Sequence, residues 1–141
     1  MGLLDGLMGH REVSLTPRSA MLLACISMVA ADGNIDEDEL AIIRRIDGSE
    51  DTQDWRKAVE AWKRVSSSGE CVGLTVPRLD DEQRRFTLAN LIDIAMADGG
   101  LDGSEKKLLE KYIEAMDVED DFVRSVVQVV SAKNDRSPFG R

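Results

Sequence analysis

The side chains best suited to chemistry are six carboxylates, which fall into two sets with the same spacing. Ala31-Asp32-Gly33-Asn34-Ile35-Asp36 with Glu39 recurs as Ala97-Asp98-Gly99-Gly100-Leu101-Asp102 with Glu105, 66 residues further along the chain. Hard cations such as Ca²⁺ and Mg²⁺ take carboxylate oxygens as ligands, so two such turns meeting at one surface could gather six. Crowded together without a counter-ion they repel: two carboxylates about 4 Å apart cost roughly 1 to 4 kcal/mol between bulk-like and surface-like dielectric. A divalent ion relieves that repulsion, with Ca²⁺ the favoured choice, and so do raised pKa values. In the second set Gly100 and Gly103 stand where the first has Asn34 and Glu37, which leaves fewer ligands there.

The same residues admit a purely architectural reading. Asp36 and Asp102 suit helix N-caps, with Glu39 and Glu105 as their capping-box partners, and this satisfies orphan backbone donors without any ion. Gly33 and Gly99 then act as helix stops. Asp32 and Asp98 are left over, because a carboxylate at a helix C-terminus faces the unfavourable end of the dipole and needs compensation, from backbone amides or from a cation. Both readings stay open on the residues alone. An EF-hand does not: with Glu39 as the twelfth loop position, the first and third fall on Met28 and Ala30, which carry no side-chain oxygen.

Helical elements must position these turns. Thr16-Pro17 supplies an N-cap and a proline at the first helical position, which predicts a helix through Met21, Leu22, Cys25, Met28 and Val29 to Gly33. It is apolar nearly all round and belongs in the core. A second helix follows Asp36, uses Leu40, Ile43 and Ile46, and ends at Gly48. Trp55, Val59, Trp62 and Val65 make the stripe of a third, with both tryptophans facing the core. Ser66-Ser67-Ser68-Gly69 through Val76-Pro77 reads as a linker between two halves. Asp80 and Gln83 form a capping box for a helix with Phe86, Ala89, Ile92 and Met96 on one side. Asp102 opens the next, with Leu108, Leu109 and Tyr112. A last helix begins near Asp120 with Phe122, Val126, Val129 and Val130; its valines suit a strand by propensity, but the acidic start and the lack of partner strands favour helix.

The flanks repeat along with the turns. Leu22 pairs with Leu88, Ile26 with Ile92, Met28 with Ile94, Ile42 with Leu108, Ile43 with Leu109 and Ile46 with Tyr112. The expectation is an all-α fold, a single compact bundle of about six or seven helices with two pseudosymmetric helix-turn-helix halves. Residues 1–15 read as a flexible N-terminal segment, 16–133 as the domain and 134–141 as a flexible tail.

Composition narrows the function. In 141 residues the formal charge is −9, which opposes approach to nucleic-acid phosphates and anionic lipid. The longest apolar run, residues 20 to 31, is too short to span a bilayer, and the N-terminus lacks the basic region of a signal peptide. Two cysteines without metal-ligand spacing fit a reducing cytoplasm. Cys25 reads as a small core residue, Cys71 as an exposed thiol without an activating partner, and His10 as a solvated bystander. Lys106-Lys107 and Arg84-Arg85 read as surface charge available to balance the acidic turns. No nucleophile-base pair, phosphate loop or cofactor motif is visible, so the chain is expected not to be an enzyme.

The paired Ala-Asp-Gly-x-(Ile/Leu)-Asp-x-x-Glu motifs, in register and in a helical context, resemble the tellurite-resistance TerB family over roughly residues 17 to 133. That resemblance implies a bundle of about seven helices, a cytoplasmic location, a place in a resistance system against tellurite and other stresses, and association with a membrane partner of that system. It also implies a metal-binding acidic cluster, which here would comprise Asp32, Asp36, Glu39, Asp98, Asp102 and Glu105. The alternative to a cation-binding stress domain is an adaptor, whose acidic surface docks a basic segment of a membrane or cytoplasmic protein without metal.

Overall fold

Thr16 and Pro17 start the first helix as their types predict. Thr16 Oγ1 accepts from the Ser19 amide, while the Ser19 hydroxyl accepts from the Thr16 amide, so the box is closed at both ends. The computed structural model describes residues 14–32, 35, 37–48, 53–97 and 103–140, with Asp32 described through its backbone alone. Helix α1 spans Pro17–Val29 and runs into a 3-10 turn at Ala30–Asp32. The rest are α2 (Glu37–Asp47), α3 (Gln53–Arg64), α4 (Glu70–Thr75), a 3-10 turn at Val76–Arg78, α5 (Asp81–Ala95), α6 (Gly103–Met116), α7 (Asp120–Asn134) and a final 3-10 turn at Ser137–Phe139. The described residues thus form an all-helical bundle of seven α-helices without strands. Gly48 ends α2 in the left-handed conformation that its position predicts.

Helix α1 is the axis of the bundle. Eleven of its thirteen residues are buried, and α2, α3, α4, α5 and α6 all pack against it. Equivalent positions of the two halves enter the same core: Leu22 and Leu88, Ile26 and Ile92, Ile43 and Leu109 are all buried. The correspondence is incomplete, since Ile42 is 43% exposed whereas Leu108 is buried. In α3 the buried residues are Ala58 and Ala61; Trp55, Val59, Trp62 and Val65 pack on the core but are only partly covered. The Arg44 guanidinium lies 5.4 Å from the Trp55 ring centre and covers part of it.

Two expectations are corrected. The stretch read as a linker is structured, because only Ser66–Gly69 forms a turn before α4 begins. Pro77 falls in the first turn of a 3-10 helix, where its missing amide costs nothing, and Cys71, Thr75 and Val76 point inward at a spacing too short to stand out as a periodic pattern. In α5 the inward face is Leu88, Leu91, Ile92 and Ala95, at i, i+3, i+4 and i+7, rather than the stripe begun by Phe86, which is half-exposed.

Arg84 is a tie rather than a surface charge. Its Nε donates to the Leu79 carbonyl at 3.1 Å, and its two terminal nitrogens donate to Met116 and Val76 carbonyls at 3.2 Å. One side chain therefore satisfies the end of α6 and the 3-10 turn before α5. Arg85, next in sequence, pairs with Glu119 in the open. Arg84→Met should lower the denaturant-unfolding free energy by about 2 kcal/mol through three deprived carbonyls, whereas Arg85→Met should cost no more than about 0.5 kcal/mol.

Candidate functional site at the two turns

The described parts of the two motifs converge. The 3-10 turn Ala30–Asp32 packs against α6, the helix that carries Glu105. Glu39, in the first turn of α2, and Glu105, in the first turn of α6, are both half-buried and line one cavity of about 450 Å³. Met28, Val29 and Ile94 give it an apolar wall. Two carboxylates 66 residues apart in sequence therefore share a surface, and the burial of α1 and α5 beside each other puts them there. The side chain of Asp32, together with Asp36, Asp98 and Asp102, lies outside the described residues, as do the stops Gly33 and Gly99. Among the described residues, no three acidic, histidine or cysteine side chains gather closely enough to hold a metal ion. Glu39 and Glu105 are the chemically hard oxygen donors that a Ca²⁺ or Mg²⁺ site in this cavity would draw on.

Basic groups reach the same cavity, and they are not the ones read from the sequence. Arg84 is committed to three carbonyls and Arg85 to Glu119, while Lys106 and Lys107 are exposed on the first turn of α6. The cations at the cavity are Arg45 from α2 and Lys133 from the end of α7. Lys133 Nζ stands 3.1 Å from Asp93 Oδ1, and the neighbouring Asn134 amide donates to the Met96 carbonyl at 3.0 Å. These two contacts fasten the end of α7 to the end of α5, just ahead of the second turn. No local spacing announces them, because they depend on where the last helix returns in space.

Both cysteines are buried, which bears out the core reading of Cys25 and corrects the exposed reading of Cys71. Burial pushes each thiol from its ordinary 9.0 up to about 12. Tyr112 lies in the same interior, with its hydroxyl 2.6 Å from Ser27 Oγ, and burial raises its pKa as well. Ser27 in turn donates to the Ala24 carbonyl at 2.6 Å.

An all-helical bundle in which the first turns of two helices, carrying Glu39 and Glu105, close on one acidic-walled cavity defines the class of the domain. The particular family follows from comparison: the family model described as tellurite resistance protein TerB matches residues 18–128. The chain belongs to the TerB family. No curated protein and no solved structure gives a significant match.

The buried thiols yield a test. With both folded-state values above that of the unfolded chain, the unfolded state loses thiol protons first, so stability is intact below pH 9 and declines as pH rises toward about 12. Urea midpoints should hold level up to about pH 8.5 and then fall, and at pH 8 a thiol-reactive dye should label native protein on the order of 1,000-fold more slowly than unfolded protein. Rapid labelling of Cys71 in the native state would contradict its burial.

Proposed function

We propose that this chain is a noncatalytic binding domain of a tellurite and stress-resistance system, whose turn face binds a divalent cation, with Ca²⁺ favoured. The observation that carries the reading is that Glu39 and Glu105, equivalent residues of two separate motifs, line a single cavity. The ligand set would be Asp32, Asp36, Glu39, Asp98, Asp102 and Glu105, and the bound ion would relieve the mutual repulsion of these carboxylates. Family membership supports the system assignment, and a formal charge of −9 speaks against nucleic acid as the partner. Among the described residues no helix is long and apolar enough to cross a membrane, which fits a cytoplasmic domain recruited by a membrane or cytoplasmic protein of the same system.

A second reading is favoured by Arg45 and Lys133, which lower the negative charge the cavity offers a free ion. On this reading the face docks a basic, partly apolar segment of that partner without metal, with Met28, Val29 and Ile94 meeting its apolar residues.

Calorimetry with Ca²⁺, Mg²⁺, Mn²⁺ and Zn²⁺ separates the two. Glutamine serves a capping box as glutamate does, so Glu39→Gln/Glu105→Gln removes charge while sparing the helix starts. Wild type should bind one ion saturably and melt at higher temperature with it, and the double variant should bind at least tenfold more weakly. A heatless titration for every ion, or unchanged affinity in the double variant, ends the cation reading; capture of a basic partner segment that persists in chelator supports the adaptor.

A further inference from the structure

At the other end of the bundle, where α1, α3 and α5 begin and α2 ends, the helices leave an open cleft of about 780 Å³. That volume is typical of sites for small organic ligands. The cleft shares no lining residue with the cavity at the turns, so a ligand held here would occupy a separate site. Its apolar surface comes from Met21, Ile46, Leu79 and Phe86. Phe86 is 51% exposed there, although it belongs to a helix whose other large apolar residues are covered or nearly so.

The polar groups decide the sign of the ligand. Arg18 is already neutralised: its guanidinium donates to Asp47 Oδ1 at 2.8 Å and to the Asp47 carbonyl at 2.7 Å. Asp54 takes one hydrogen bond, from the Thr16 hydroxyl at 2.6 Å, and has no cationic partner among the described residues; Glu82 is exposed on the rim. Among those residues Asp54 is therefore left without a countercharge, while Glu82 shares the field of Arg85, whose guanidinium is paired with Glu119. Thr87, fully buried in the cleft wall, has a hydroxyl without a hydrogen-bond partner among the described residues, which is unusual for a buried polar group. Three helix starts nearby would by themselves attract an anion. Two of them have turned donors inward, since the Ser19 amide goes to Thr16 Oγ1 at 3.0 Å and the Gln83 amide to Asp80 Oδ1 at 2.8 Å, and Asp54 and Glu82 sit in first turns where they already answer the dipoles.

We infer that this cleft is a binding site for a small organic cation, a protonated amine carried on an apolar body. The ammonium group lies between Asp54 and Glu82, where charge-assisted hydrogen bonds are available, and the apolar body rests on Met21, Ile46 and the face of Phe86.

The probe is 2-phenylethylamine, with 2-phenylethanol as its neutral match and 3-phenylpropionate as its anionic one, read by backbone amide chemical shifts of the full chain. The amine should shift the amides of Met21, Ile46, Phe86 and Thr87 saturably at millimolar concentrations. The alcohol should bind several-fold more weakly, and the acid should leave these amides in place. Asp54→Asn keeps an acceptor for Thr16, so the start of α1 survives, yet affinity should drop about tenfold; Glu82→Gln should cost about threefold. Glu39→Gln/Glu105→Gln should bind the amine as wild type does. Absent or unsaturable shifts, equal binding of amine and acid, or an affinity indifferent to Asp54→Asn would overturn the site, as would shifts confined to the turn face.

Discussion

The structure depends on one helix having no outside. Because α1 is apolar around nearly its whole circumference, any arrangement that left one of its faces in water would forgo about 1.5–3 kcal/mol for each large side chain exposed, Leu22, Leu23, Ile26 and Met28 among them. Five helices close around it, and their order in the chain then determines what meets at each end. The C-terminal ends of α1 and α5 fall together, which brings Glu39 and Glu105 to one side. Their N-terminal ends fall together too, and the three helix starts there frame the second cleft.

A buried axis raises the question of what its few polar atoms do. Ser27 and Tyr112, 85 residues apart, bond to each other in the interior, and Ser27 also donates to its own helix backbone. Thr75 donates to the Cys71 carbonyl at 2.7 Å. Such pairings let hydroxyls sit in the core at little net cost, and they join the first motif's helix to the second's by something more directional than contact between hydrocarbon groups. Arg84 does similar work nearer the surface, gathering three carbonyls from two chain segments.

Much of this was legible in the amino-acid order. The Thr16 and Asp80 caps are chemistry on a three-residue span, and both form as their types require. The continuous apolar character of residues 20 to 29 announced a central helix, and the 66-residue repeat announced that two carboxylate-bearing helix starts would be related. What escaped was whatever depended on distance through space. Helix α4 is only six residues long, so its inward Cys71 and Thr75 complete a single turn and leave no period to detect. The stripe Phe86, Ala89, Ile92 and Met96 has helical spacing, yet the helix buries the face of Leu88, Leu91, Ile92 and Ala95. Arg45 and Lys133 reach the turn cavity from separate helices, and the basic pairs singled out by adjacency, Arg84-Arg85 and Lys106-Lys107, are engaged elsewhere or point to water.

The manner in which α7 attaches has an electrical consequence. That helix packs chiefly on α5 and keeps Val129 exposed, while its last turn places Lys133 at the cavity beside Asp93. Among the described residues around that cavity, five are ionisable: Glu39, Asp93 and Glu105 are acidic, and Arg45 and Lys133 are basic. Among those described groups, Lys133 is the positive charge that α7 contributes, and without it three acids would face Arg45 alone. The charge this face presents to an approaching ion or partner therefore depends on where the end of the C-terminal helix is fastened, through Lys133 and Asp93.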